Sequence, residues 1–366
     1  MQKKLKLIFL FLGATLNLLN ATTFSTVAGG ETFMLDGDYF LTGHSSIFGA
    51  YSAIILDNST GSAKSVTLDG ANHTVYCSTA SATQTLQKIG ADNLTVTLQN
   101  CRLRNFDANF TQAGPGFVIR LGNNVEIIYD SDHVLDRNET QLIVGNTTFN
   151  CNGNTLTSAA GPGYFDLSLT ATLTVKNGTL KCTTGTFAGS TALGGMLRLE
   201  NLRIVNNATT LTLDWQSGAN YCNMQFAGTV IVTGKNRTTI GSNYNFNLQG
   251  GGLTTILSDA ILKVERGNNL QYQAIPIIAG DTNASKRRFQ MQDLSAKLWL
   301  DGCTITSTTT GLAFDRGNLI IDGKVNFAIS TSAAAQAQLG SALVVDILPS
   351  ATLKLNGPTE YILTAP

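Results

Sequence analysis

The chain has 366 residues, 43% of them hydrophobic and only 13% charged, with 36 Gly and 6 Pro. That composition buries a long core and excludes disorder for the bulk of the chain. Its 24 basic residues are matched by 24 acidic ones, a balance that excludes a basic nucleic-acid binder.

Residues 1–21 carry Lys3, Lys4 and Lys6, then the apolar run Leu7 to Leu12, then Asn20 and Ala21. This is the layout of a secretory signal, with cleavage expected after Ala21 and Ala28 as the second candidate. The apolar run is too short to span a bilayer, and no later segment is long and apolar enough to do so. Removing the three leader lysines from the 24 basic residues leaves 21 against 24 acidic ones. The expected product is exported, to the medium or the cell surface, and does not span a membrane.

From there to the C-terminus one short phrase recurs: apolar, any, apolar, Asp or Asn, Gly. It begins at Phe33-x-Leu35-Asp36-Gly37-x-Tyr39 and Val66-x-Leu68-Asp69-Gly70, and returns degenerately at Val96-x-Leu98-Gln99-Asn100-Cys101. The next copies are Phe149-x-Cys151-Asn152-Gly153 and Leu173-x-Val175-x-Asn177-Gly178, followed by Leu197-x-Leu199-Glu200-Asn201 and Val230-x-Val232-Thr233-Gly234. Leu298-x-Leu300-Asp301-Gly302, Leu319-x-Ile321-Asp322-Gly323 and Leu353-x-Leu355-Asn356-Gly357 complete the series.

Most steps between copies are 21 to 34 residues, the period of a solenoid. Each phrase reads as a short strand with alternate residues inward, a residue pair that tolerates left-handed backbone, and a second strand in a new direction. An antiparallel sandwich is the rival, because Asp-Gly and Asn-Gly are also hairpin signals. The repeat predicts an all-β chain of parallel strands in roughly a dozen coils, one domain over 22–366. The segment after the leader and the final 360–366 are expected to cap its ends. Corner Asn residues should ladder from coil to coil. The longest steps, around 107–146 and 262–293, are where functional loops are expected.

The run Gly37-Asp38-Tyr39-Phe40-Leu41-Thr42 ahead of a Val-x-Leu-Asp-Gly coil, followed by Leu-x-Leu-x-Asn rungs, resembles exported right-handed parallel β-helix proteins of the pectin-lyase-like superfamily. The resemblance covers nearly all of 22–366 and implies a single-stranded right-handed parallel β-helix. It does not imply one activity, since that superfamily holds lyases, glycoside hydrolases, phage tailspikes and adhesins.

The hydrolase pattern of Asn-Thr-Asp, Asp-Asp, Gly-His-Gly and Arg-Ile-Lys is missing. Gly43-His44-Ser45 and Arg203-Ile204-Val205 are chance fragments of it. The densest acidic cluster is Asp130, Asp132, Asp136 and Glu139, with His133 inside it and Arg137 beside it. It is a candidate calcium site, or a solvated loop. Asp301 with Asp322, and Asp36 with Asp69, sit at equivalent corners where a shared cation is optional. His44, His73 and His133 have no metal-ligand spacing.

Cys77, Cys101, Cys151, Cys182, Cys222 and Cys303 contain no CxxC pair, and stacked thiols and a few disulfides stand as equal readings. Trp215 continues an alternating core row. Trp299, between Leu298 and Leu300, faces outward and either packs under the 262–293 stretch or offers a sugar-stacking ring. Lys286-Arg287-Arg288 reads as a solvated loop.

No catalytic, cofactor or metal residues are assigned on this reading. The expected function is that of a structural or adhesive surface protein that binds polysaccharide or host-surface glycan. The alternative is a calcium-dependent polysaccharide lyase or glycoside hydrolase, with Asp130, Asp132 and Asp136 as metal ligands and Arg137, Arg287 or Arg288 as the base. A receptor-binding fibre that trimerises is a third reading.

Overall fold

The computed structural model describes residues 22–24, 32–41, 50–51, 54–58, 63–77, 86–90, 93–106, 116–135, 142–158, 166–168, 170–183, 195–207, 210–213, 223–234, 244–248, 253–266, 268–272, 288–307, 311–328, 336–356 and 361–364. The leader and both cleavage candidates, His44, Asp136, Arg137, Glu139, Trp215, Cys222, Lys286 and Arg287 lie outside them. Every regular element among the described residues is a strand. Contacts divide the chain into two compact units, one formed by Met1–Asp130 with Gln141–Asn150, the other by Ser131–Thr140 with Cys151–Pro366.

The first unit is a stack of parallel strands on several faces. On one face Lys64–Asp69, Leu94–Gln99 and Phe117–Leu121 run in register, with Val66 level with Val96 and Ile119, and Leu68 level with Leu98 and Leu121. Period-2 alternation sends these side chains inward, where each is at most 5% exposed. A second face stacks Thr74–Tyr76, Cys101–Arg104, Val125–Ile128 and Asn146–Asn150, which aligns Val75, Leu103, Ile127 and Phe149. A third carries Thr22–Phe24, Ile54–Asp57 and Leu86–Ile89. Like residues lie over like, as a solenoid requires and a sandwich does not.

Corners make this stacking possible. Asn100 and Asn124 take left-handed backbone, φ 51° and 56°, a conformation Asn tolerates better than most residues. Their amides ladder between coils. Asn124 Nδ2 donates to Asn100 Oδ1 at 2.9 Å, and Asn100 Nδ2 donates to Asp69 Oδ2 at 3.0 Å. Asp69 also accepts the Ala71 N–H at 2.8 Å and the Gln99 amide at 2.8 Å. Partial burial raises its pKa, but the Ala71, Gln99 and Asn100 donors outweigh that and hold the carboxyl below its ordinary value.

One corner differs from expectation. At Asp69-Gly70 the left-handed residues are Ala71 and Asn72, not the glycine. Gly70 is needed because a Cβ there would overlap Cys101 of the next coil.

The second unit is built the same way with longer strands. Thr172–Cys182 and Met196–Asn206 pair in parallel through their corners at Asn177 and Asn201, so the hydrogen-bonded ladder bends there and does not break. Two inward rows run up this face. One is Leu202, Val230, Leu262, Leu298 and Leu319; the other is Leu180, Ile204, Val232, Val264, Leu300 and Ile321. All are at most 2% exposed.

A second face stacks Thr210–Leu213, Tyr244–Leu248, Asn268–Tyr272, Thr304–Ser307, Lys324–Ala328 and Thr352–Asn356 in parallel. Tyr361–Thr364 then closes it antiparallel. That ladder of seven strands is short of the dozen coils suggested by counting phrases over the whole chain. The count took in both units and residues beyond those described. The long steps also hold ordinary coils with weaker phrases, such as Asn123-Asn124 before Val125–Ile128.

The described cysteines Cys77, Cys101, Cys151, Cys182 and Cys303 are buried thiols, not disulfides, which settles the question for them. Burial pushes the thiols of Cys101, Cys151 and Cys303 up to about 12, and that of Cys182 higher still. Each thiol therefore stays protonated in the folded state well above the pH at which the unfolded chain loses the proton. The stabilisation is complete below about pH 8.5 and is lost as pH rises towards 12, by about 1.4 kcal/mol per thiol per pH unit. Iodoacetamide at pH 8 should leave these five thiols unmodified in the native chain and label them in urea, read by mass. Labelling of the native chain at Cys182 would contradict the packing.

Candidate functional site

Of the acidic cluster singled out in the sequence, Asp136 and Glu139 lie outside the described residues, and Asp130 and Asp132 meet separate donors. Asp130 belongs to the first unit, where the Arg104 guanidinium donates to its Oδ1 at 2.5 Å and also lies 5.8 Å from the Tyr76 ring. Asp132 belongs to the second unit, where its Oδ1 accepts the Thr155 N–H at 2.8 Å. His133 opens the strand His133–Leu135 and is level with Leu156. Among the described residues no group of three or more His, Cys, Asp or Glu converges as a metal site.

The paired corner carboxylates are engaged as well. Asp36 Oδ1 accepts the Tyr39 hydroxyl at 2.8 Å, while Asp69 holds the amide ladder described above. Asp301 and Asp322 are level in adjacent coils, as their phrases predict, but their oxygens meet donors from the same face.

Those donors form a charged and aromatic cluster on the outer surface of the second unit. Alternation that sends Leu262, Leu298 and Leu319 inward sends Lys263, Trp299 and Ile320 outward, level with one another. The Lys263 ammonium lies over the Trp299 ring, 4.1 Å from its centroid, a cation–π contact. The Trp299 indole N–H donates to Asp322 Oδ2 at 3.3 Å. Lys263 Nζ also stands 4.0 Å from Asp301 Oδ2, and Arg266 Nη2 donates to Asp301 Oδ1 at 3.5 Å. Two coils away Arg203 Nη1 donates to Glu265 Oε2 at 3.3 Å. The Glu265 side chain is only 5% exposed, so its desolvation is compensated chiefly through such pairing.

The two corners beneath Arg266 favour glycine by their left-handed backbone. Gly302 and Gly323 take φ 57° and 64°, and a Cβ on them would come within 3.0 Å of Arg266 Nε and 3.2 Å of its Nη2. The guanidinium therefore lies across two consecutive corners. The Asp301 charge also adds to burial in raising the Cys303 thiol.

Trp299 was foreseen as outward-facing, and it is held by Lys263 at the start of the 262–293 stretch. Arg203, set aside in the sequence as a chance fragment, is a member of the cluster. Lys263, Glu265 and Arg266 were missed, although Leu262-x-Val264-Glu265-Arg266-Gly267 is a further degenerate copy of the repeated phrase. Arg288 opens the strand Arg288–Met291; its neighbours Lys286 and Arg287 lie outside the described residues.

No protein-family model, curated protein or solved structure matches the chain. Among the described residues no helix is long and apolar enough to cross a membrane.

Proposed function

We propose that the chain is an exported surface protein of the right-handed, pectin-lyase-like kind that binds polysaccharide or host-surface glycan. The observation that supports this reading is the outward row around Trp299. There an indole is fixed by Lys263 and Asp322 amid alternating cations and carboxylates on a rigid parallel sheet. Sugars present hydroxyls in a ring of fixed geometry and apolar C–H faces. Such a row offers donors, acceptors and an aromatic edge at the 4.8 Å spacing of strands. A strand scaffold fixes these groups more closely than a loop does.

The test is retention of the purified chain on a panel of acidic and neutral polysaccharides, with and without calcium. Unsaturated product and reducing ends are read in the same samples. Trp299→Ala is expected to weaken retention roughly tenfold, equivalent to about 1.4 kcal/mol, while Lys181→Ala, elsewhere on the same sheet, leaves it unchanged. Equal retention by the wild type and Trp299→Ala would remove this face from binding. Calcium-dependent unsaturated product would replace the adhesive reading with the lyase.

A further inference from the structure

We infer that the last strand of the second unit's long face, Gln336–Ile347, is an interface that receives a second copy of this chain. Among the described residues it pairs on one side only, with Gly311–Asp322. Its inward row, Leu343, Val345 and Ile347, continues the core rows: Val345 stands on Leu319 and Ile347 on Ile321. Leu319 and Ile321 are 0% exposed because a further coil covers them. Among the described residues no further strand covers Leu343, Val345 and Ile347, which are only half-buried. Leu339, standing on the buried Phe314, is 41% exposed, and Val344 is 46% exposed.

Edges of this kind are ordinarily guarded by lysine, proline or inward charge. Gln336–Ile347 contains none of these and carries a single charge, Asp346. That carboxylate is held by the Asn318 amide at 3.1 Å. The neighbouring face shows the contrast, since Tyr361–Thr364 closes it antiparallel.

The occupant follows from what covers this row elsewhere in the unit. Each inward row is covered by a strand bearing the same apolar alternation, and a second copy brings one with its own edge equally open. Residues 342–347 lie beyond the register shift at Phe314/Arg316 and form a regular segment. A two-fold axis at Val345 pairs this segment antiparallel with itself. Val345 then faces its own counterpart, and Leu343 faces Ile347 of the second copy, so the contact is self-complementary and closed. Asp346 falls opposite Val344 of the second copy. The two Asp346 carboxylates are diagonal neighbours, offset by two residues, about 7 Å along the strands, and each is held by its own Asn318 amide. No like charges stand directly opposite one another in the pairing.

Light scattering of the purified chain is expected to give twice the chain mass. Leu343→Lys and Ile347→Asp should each give single chains, because each sets a charge in the other copy's apolar row. An equimolar mixture of the two should recover the doubled mass, since the introduced ammonium and carboxylate then face one another. Recovery on mixing also shows that both variants fold. Val345→Cys, which adds no charge, is expected to link two copies through residue 345 with a short bismaleimide. A wild-type chain that stays single, a variant that stays double, a mixture of natively melting variants that stays single, or a double chain that Val345→Cys fails to link would overturn the interface. None of these outcomes depends on whether the Trp299 face binds glycan.

Discussion

Phe226→Ala is expected to lower the stability of the second unit by about 3–5 kcal/mol. Phe226 is 0% exposed and sits mid-stack, level with Leu199 in the coil before and Ile256 in the coil after. Removing its ring opens a cavity between two layers whose backbones are pinned in register. Leu257 N–H donates to the Phe226 carbonyl at 3.0 Å, so the strands cannot readily collapse to fill the space. In a stacked repeat each coil is stabilised chiefly by its neighbours, and a weak layer therefore affects the coils on both sides. Denaturant unfolding checks the magnitude, with Val134→Ala, at a site 60% exposed, as a control expected within about 0.5 kcal/mol of wild type. A Phe226→Ala loss below about 1 kcal/mol would mean that this core is not packed as a continuous row.

The core rows were legible because the phrase encodes them. Alternate apolar residues before an Asx-Gly pair state both the inward face and the place where it ends. The alternation alone assigns Leu298, Leu300, Leu319 and Ile321 inward and Trp299 outward.

The cluster around Trp299 was not legible, for a geometric reason. Residues that touch across coils are separated in sequence by the coil length, and coil length varies. Arg203 and Glu265 are 62 residues apart, Arg266 and Asp301 are 35, and Trp299 and Asp322 are 23. No fixed spacing marks such a set. Local density of charge, the signal that singled out Asp130 to Glu139, instead favours residues that are close along the chain. In a solenoid such residues turn a corner together, and here Asp130 and Asp132 meet separate donors, the Arg104 guanidinium and the Thr155 N–H.

The corners were legible in kind but not in cause, and Gly178→Ala shows the difference. It is expected to cost about 1–3 kcal/mol through overpacking, although Gly178 has no left-handed backbone to lose. The left-handed residue at that corner is Asn177, φ 61°. A Cβ on Gly178 would lie 2.5 Å from the Asn154 carbonyl oxygen and 2.5 Å from Cys151 Cβ in the preceding coil. One of these contacts is backbone, and the other belongs to a fully buried side chain. Relief would require the two coils to separate, which also stretches the bond from the Thr179 N–H to the Asn154 carbonyl, 3.0 Å in the folded chain.

Gly37 occupies the same place in its own phrase, yet a Cβ there meets nothing within 4 Å and its φ is not left-handed. Gly37→Ala should therefore be neutral or stabilise by up to about 1 kcal/mol, because alanine restricts the unfolded chain. Thermal and urea unfolding of the two variants separate the causes. If glycine served only to permit left-handed backbone, neither substitution would destabilise. If it serves the approach of coil to coil, only Gly178→Ala will.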